Sequence, residues 1–155
     1  MPYEELKDDW NPTRALISGP PNSRKTSSLD TWPFTADKGL HVIFFPGEKG
    51  WSSLDVTVPG IHGYRWVTED PSKLSADTVI KEVETLTWEI LAGKKGGINV
   101  FAGDGLHKLY DWYYKRAATG ATSDDALSRA YGTSHNDFSL YLHRVCHSTC
   151  PVSYF

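Results

Sequence analysis

The chain contains little sulfur and no long apolar segment. Its 155 residues include only two cysteines, Cys146 and Cys150, and one methionine. Two cysteines are too few for the disulfide framework that stabilises small secreted domains. No apolar run approaches the roughly 20 residues that a membrane-spanning helix needs, and the acidic, polar N-terminus lacks the pattern of a signal peptide. These absences predict a cytoplasmic protein that does not act in a membrane.

The chain also has no excess of basic residues. Its formal net charge is −3 at pH 7, which argues against a uniformly basic nucleic-acid-binding body. The net charge does not exclude a local basic patch, because basic and aromatic residues alternate in two nearby segments. Together with Tyr113 and Tyr114 these cations could contact single-stranded DNA, although such charges are more often a solvated surface. The cations are Lys94, Lys95, Lys108, Lys115 and Arg116.

Apolar runs and helical spacings alternate along the chain. This alternation predicts an α/β domain with a mostly parallel sheet over residues 14–155, preceded by an N-terminal arm over residues 1–13. The composition, 39% hydrophobic and 23% charged, is sufficient for one core. The predicted strands are 14–18, 41–45, 62–67, 98–102 and 151–155. The predicted helices are 26–31, 75–91, 106–117 and 137–146, with a loop at 118–125.

A phosphate-binding turn is predicted between the first strand and the first helix. The segment from Gly19 to Thr26 matches the pattern G-x-x-x-x-G-K-[ST] at every position except the sixth. Backbone N–H groups of such a turn form a concave anion site, and the helix that follows adds its dipole. Lys25 would reach the β- and γ-phosphates, and the Thr26 hydroxyl would bind Mg²⁺. The predicted nucleotide-contacting residues are Gly19, Pro20, Pro21, Asn22, Ser23, Arg24, Lys25, Thr26 and Ser27.

Arg24 is the irregular position of this turn. Glycine at the sixth position supplies backbone freedom and leaves room for phosphate, whereas an arginine side chain crowds that place. The guanidinium could compensate by contacting phosphate, or it could mark a weak or inactive nucleotide site. The plainer alternative for the whole segment is a chance strand–turn–helix that contains Lys-Thr.

Two acidic residues follow two of the apolar strands. Glu48 lies in the turn Pro46-Gly-Glu-Lys-Gly50, and Asp104 lies in Ala-Gly-Asp-Gly-Leu. In a parallel sheet both turns emerge at the carboxyl edge, beside the phosphate-binding turn. One of these acids would hold Mg²⁺ through water, and the other would orient the attacking water. The alternative is that both carboxylates only cap nearby helices, with Asp104 as the N-cap of the helix that starts at Leu106.

The strings RALISGPPNSRKTSSLDTWP, HVIFFPGEKG and INVFAGDGLHKLYDW resemble the phage RecA-like P-loop ATPases of the AAA_24 type, and the similarity extends over residues 13–155. The resemblance implies a three-layer αβα P-loop NTPase. Lys25 and Thr26 would be its Walker A pair, Glu48 the catalytic glutamate and Asp104 the Walker B aspartate. It also implies that the last strand, 151–155, lies between the Walker A and Walker B strands.

Members of that family continue with further strands and DNA-contacting loops. The resemblance therefore implies a truncated or naturally minimal core. It also implies a homo-oligomer, because the active sites of RecA-like ATPases often lie between subunits. The host cytoplasm would be the location if a phage encodes the protein.

The combined prediction is a domain that binds ATP, hydrolyses it with Mg²⁺ and serves DNA recombination or replication. A non-hydrolysing P-loop fold used as a binding or assembly module is the main alternative. A small-molecule kinase is less favoured, because no arginine-rich lid follows the core. Trp10, Trp32 and Trp51 are candidates for stacking on a base. A zinc site formed by His143, Cys146, His147 and Cys150 is disfavoured, because one straight helix cannot surround a tetrahedral ion.

Overall fold

The computed structural model describes residues 13–20, 24–67 and 73–155. In this part of the chain five strands form one sheet and three α-helices connect them. The strands are β1 (Thr13–Ala15), β2 (Gly39–Phe44), β3 (Ile61–Tyr64), β4 (Ile98–Asp104) and β5 (Val152–Tyr154). The α-helices are α1 (Ala76–Leu91), α2 (Leu106–Ala117) and α3 (Asp124–Cys146), and short 3-10 helices cover Thr26–Thr31 and Gly50–Ser53.

The sheet is parallel throughout, with the strand order β1-β5-β4-β2-β3. This order confirms the predicted α/β class with a parallel sheet. The last strand lies between β1 and β4, which is the position that the resemblance implied. Because all strands point the same way, the residues that follow β1, β2 and β4 meet at one edge of the sheet.

The two faces of the sheet are covered differently. The three α-helices pack on one face, around a buried cluster that includes Phe101 of β4, Val83 of α1, Tyr113 of α2 and Tyr141 of α3. The other face packs against Leu29 of the first 3-10 helix, together with Leu54, Trp32 and Phe34. Among the described residues no α-helix contributes to this second cluster, so 3-10 turns and loops form the second layer.

Several predicted boundaries are wrong. The longest helix, α3, starts at Asp124 rather than at residue 137, because the Ser123 side chain accepts the N–H of Ala126 and two aspartates follow in the first turn. The segment 118–125 is therefore a shorter loop than predicted. The strand predicted over 14–18 ends at Ala15, and Leu16 beyond it is 70% exposed. Thr13 belongs to β1, and the rest of the predicted arm lies outside the described residues.

The second helix and the start of the first agree with prediction. Ser75 is the N-cap of α1 and accepts the N–H of Thr78, while α2 has the predicted bounds and buries Leu109, Trp112 and Tyr113. Neither these helices nor α3 has the length and apolarity needed to cross a bilayer, and this holds for every helix in the described part of the chain.

A fully buried histidine lies in β2, next to the edge strand. The Nδ1 atom of His41 is 3.0 Å from the Tyr64 hydroxyl, and its Nε2 atom is 3.0 Å from the carbonyl oxygen of Gly97. The His62 ring stacks on it at 4.5 Å. Burial lowers the pKa of His41, the Gly97 carbonyl opposes this shift, and the neighbouring His62 adds to it.

The lowered pKa of His41 predicts a loss of stability in mild acid. The folded state takes up a proton on His41 at lower pH than the unfolded chain, whose histidine has a pKa of about 6.5. The contribution of neutral His41 to the free energy of unfolding is therefore fully present above a pH of about 6.5. It is lost as the pH falls from there toward the lower pKa of the folded state. Urea unfolding between about pH 7.5 and pH 5 should show a steeper loss for the wild type than for His41→Gln. Equal pH dependence of the two proteins would contradict this prediction.

Candidate functional site

A cleft of about 1090 Å³ lies at the carboxyl edge of the sheet. It collects most of the predicted site residues that the structure describes, from the turn after β1, the turn after β2 and the end of β4. These residues are Gly19, Arg24, Lys25, Thr26, Ser27, Glu48 and Asp104. Pro20 contributes its carbonyl group to the same turn. The remaining predicted residues, Pro21, Asn22 and Ser23, lie outside the described residues.

Lys25 is bound to its own turn. Its Nζ atom donates hydrogen bonds to the carbonyl oxygens of Gly19, at 2.7 Å, and of Pro20, at 2.8 Å. These two carbonyl groups hold the ammonium group, which places a positive charge at the wall of the cleft.

The helix after the turn has the predicted length but is wound more tightly than an α-helix. It is a 3-10 helix of six residues, Thr26–Thr31, and Trp32 ends it in an extended conformation before Pro33. The predicted bounds are confirmed. A single short 3-10 helix has a smaller dipole than a full α-helix, so it adds less to anion binding than the motif implies.

Asp104 contacts the turn directly. It is the last residue of β4, and its Oδ2 atom accepts a hydrogen bond from the Thr26 hydroxyl. The N-cap of α2 is Gly105, in a left-handed conformation with φ of 86°, and no side chain caps that helix. The alternative role of Asp104 as the N-cap of α2 is therefore wrong. The fold instead brings together a hydroxyl and a carboxylate that are 78 residues apart in the chain.

Glu48 is held between two loops. Its Oε1 atom accepts the N–H groups of Lys49 and Gly50, both at 2.9 Å, immediately before and at the start of the second 3-10 helix. A β-carbon on Gly105 would stand 3.0 Å from its Oε2 atom. The turn itself is tied to α2 by the Trp112 indole, which donates to the carbonyl of Pro46 at 3.1 Å. Hydrogen bonds thus hold Oε1, and Gly105 leaves room for Oε2.

Gly50 leaves a gap beside three side-chain oxygens. A β-carbon on Gly50 would stand 3.2 Å from Glu48 Oε1, 3.4 Å from Thr26 Oγ1 and 3.9 Å from Asp104 Oδ2. The three oxygens therefore surround one small space that any other residue would fill. The sequence motifs did not identify Gly50 and Gly105 as site residues. Gly50 follows Glu48 by two residues in the turn PGEKG, and Gly105 follows Asp104 directly in GDG.

The cleft also has an apolar part that the sequence did not predict. Leu16, Ile17 and Phe155 line it, and Leu16 and Ile17 are 70% and 43% exposed. The two described tryptophans that were candidates for base stacking do not line the cleft. Trp32 packs against the second face of the sheet, and Trp51 lies under the guanidinium of Arg65 at 3.9 Å. Trp10 lies outside the described residues.

The other candidate sites have structural roles in the described residues. Cys150 is buried and donates to backbone carbonyls, whereas Cys146 is half-buried. No three His, Cys, Asp or Glu residues in the described ranges are arranged to hold a metal ion. Three of the five basic residues have partners within the chain. Lys95 pairs with Glu89, Lys115 lies over Trp112, and Arg116 pairs with Asp137 and Asp77.

Comparisons with protein-family models, with curated proteins and with solved structures found no match to this chain. What the structure establishes is an α/β protein with a parallel sheet. At its carboxyl edge the described residues line a cleft with two cations, two carboxylates and an apolar wall.

Proposed function

We propose that this cleft binds ATP with Mg²⁺ and hydrolyses it, and that the chain is a RecA-like P-loop NTPase core of phage type. The observation that carries the proposal is the contact between Thr26 and Asp104, with Glu48 and Lys25 in the same cleft. These residues come from three separate segments, and they meet where a P-loop mechanism requires a metal-binding hydroxyl, a metal-binding carboxylate and a second acid.

The charges of the cleft favour a phosphate chain that carries a divalent cation. Arg24 and Lys25 attract phosphate, whereas Glu48 and Asp104 would repel it at close range. A cation between the carboxylates and the phosphates removes that repulsion. Mg²⁺ fits this arrangement, because it prefers oxygen ligands, uses one or two carboxylates together with substrate phosphates, and keeps several waters.

The gap beside Gly50 is the structural feature that supports a metal ion here. Thr26 and Asp104 would hold the ion through their side-chain oxygens, and Gly50 keeps the space beside them open. When bound, Mg²⁺ would neutralise the negative charge that develops on the phosphates.

Glu48 is the candidate for orienting the attacking water. Backbone N–H groups bind one of its carboxylate oxygens and thereby fix the direction of the other. A carboxylate held in place in this manner needs little reorganisation when it accepts a hydrogen bond from water.

The apolar wall favours a nucleotide over inorganic polyphosphate. Exposed aliphatic side chains at Leu16 and Ile17, with the Phe155 ring, offer a surface on which a planar base can pack. Service in DNA recombination or replication, single-stranded DNA as a partner, and a homo-oligomeric state rest on the resemblance of the sequence to phage RecA-like ATPases.

A second function, a non-hydrolysing P-loop module for binding or assembly, is favoured by two observations. Arg24 replaces the glycine of the motif, and a single 3-10 helix replaces the α-helix that would follow it. In a module of this kind the cleft would still bind phosphate, and only turnover would be absent. Turnover of ATP distinguishes the two functions.

Thermal unfolding tests the proposal. At ATP concentrations about 100 times its Kd, with Mg²⁺, ligand binding stabilises a protein by about 2.7 kcal/mol, which corresponds to a rise in Tm of roughly 5–10 °C for a domain of this size. Lys25→Ala should abolish the rise, because it removes the ammonium at the wall of the cleft. Lys81→Ala, on the exposed side of α1, is the matched control and should keep it. Absence of binding by any nucleotide at millimolar concentrations would overturn the proposal.

A further inference from the structure

Arg24 has a backbone conformation that arginine does not favour. Its φ is +61°, and it is the only non-glycine residue in the described part of the chain with a positive φ. In this region the β-carbon of an L-residue crowds the following carbonyl, so the conformation is strained for every residue except glycine. Such strain persists where the surrounding structure imposes it, and it clusters at sites that bind ligands.

The hydrogen bonds of the Arg24 backbone do not require arginine. Its carbonyl oxygen accepts the N–H of Ser28, at 3.1 Å, and the hydroxyl of Ser27, at 3.1 Å, and these bonds begin the 3-10 helix. Glycine would form the same bonds without strain, because it adopts positive φ readily. The reason for arginine at this position must therefore lie in its side chain.

The guanidinium of Arg24 has no structural task among the described residues. Its side chain is exposed and lines the cleft, and no described residue makes a hydrogen bond or an ion pair with it. The arginines at 14 and 116 differ in this respect. The guanidinium of Arg14 donates to several backbone carbonyls, and that of Arg116 pairs with Asp137 and Asp77.

Resting on the proposed function, we propose that Arg24 binds the phosphate chain of the nucleotide. The planar guanidinium presents parallel N–H groups that match two phosphate oxygens, which a lysine ammonium cannot do. Arg24 and Lys25 are adjacent in the chain and line the same cleft, so both reach a ligand that carries at least two phosphates. The strained backbone is retained because it directs this second cation into the site.

Isothermal titration of the full chain with ATP, ADP and AMP in the presence of Mg²⁺ tests the inference. The Arg24→Gly and Arg24→Ala variants should both bind ATP and ADP about tenfold more weakly than the wild type or worse, with AMP affected least. Arg24→Gly should also melt about 2–4 °C above Arg24→Ala, because only glycine relieves the strain. Arg129→Ala, an exposed arginine on α3 outside the cleft, should bind all three nucleotides as the wild type does.

The outcomes separate this inference from the proposed function. ATP binding by Arg24→Gly that equals or exceeds that of the wild type would overturn the role of Arg24. If Lys25→Ala still lost binding, the nucleotide site would stand. A loss in Arg24→Gly that Arg24→Ala does not share would assign the effect to the backbone and would also overturn the inference. If the wild type binds no nucleotide, both proposals fall.

Discussion

The Glu48→Gln variant is expected to bind Mg²⁺-ATP like the wild type but to hydrolyse it at least about a hundredfold more slowly. Glutamine has almost the same shape as glutamate, and its amide oxygen can still accept the N–H groups of Lys49 and Gly50. The turn and the gap beside Gly50 should therefore be preserved. Only the second carboxylate oxygen, which faces Gly105, loses its charge and its capacity to accept a proton or orient water.

Single-turnover phosphate release measures this effect, and thermal shift with ATP confirms that binding is retained. Glu82→Gln is the matched control, since Glu82 is exposed on α1 and does not line the cleft. If the variant hydrolyses ATP at the wild-type rate, Glu48 has no catalytic role. If the wild type binds ATP and shows no turnover, the function is that of the non-hydrolysing module.

The second large effect is expected far from the cleft, at an exposed glycine. A β-carbon on Gly97 would stand 1.9 Å from the carbonyl oxygen of Asp37, and backbone must move to relieve that contact. The Gly97 carbonyl accepts the N–H of Gly39 at 3.0 Å and also contacts the buried His41. Gly97→Ala should therefore destabilise the fold by about 3 kcal/mol or more, which lowers Tm by roughly 6–12 °C.

Gly132→Ala is the matched control for that measurement. Gly132 lies within α3, and a β-carbon there meets nothing within 4 Å. Alanine is favoured over glycine in a helix interior by about 1 kcal/mol, so this variant should melt slightly higher than the wild type. If Gly97→Ala is as stable as the wild type, the loops at residues 37 and 97 can move apart without a loss of free energy of unfolding. That result would contradict the prediction.

The sequence predicted which residues share the cleft better than it predicted the start of α3. Thr26, Glu48 and Asp104 follow apolar strands, and in a parallel sheet that position alone brings them to one edge. The sequence does not reveal the role of Gly50 and Gly105. Each glycine leaves room beside the Glu48 carboxylate, and that proximity exists only in the folded chain.

The errors at the helices have local physical causes. Polar residues at the start of α3 conceal its apolar stripe, whereas the Ser123 cap and the aspartates after it are sufficient to start the helix thirteen residues earlier than predicted, at 124 rather than 137. The left-handed conformation of Arg24, just before the Thr26–Thr31 helix, is not visible in the sequence.

The position of β5 has a consequence for how the cleft is assembled. Within the described sheet β1 pairs with β5 alone, whereas β2 pairs with both β3 and β4, which are closer to it in sequence. Contacts between distant segments form late in folding, because closing a long loop costs entropy. We therefore expect β1 and the turn after it to dock last and to open first. Amide hydrogen exchange should be faster at β1 than at β4, and a bound nucleotide should slow exchange at β1 and β5 together.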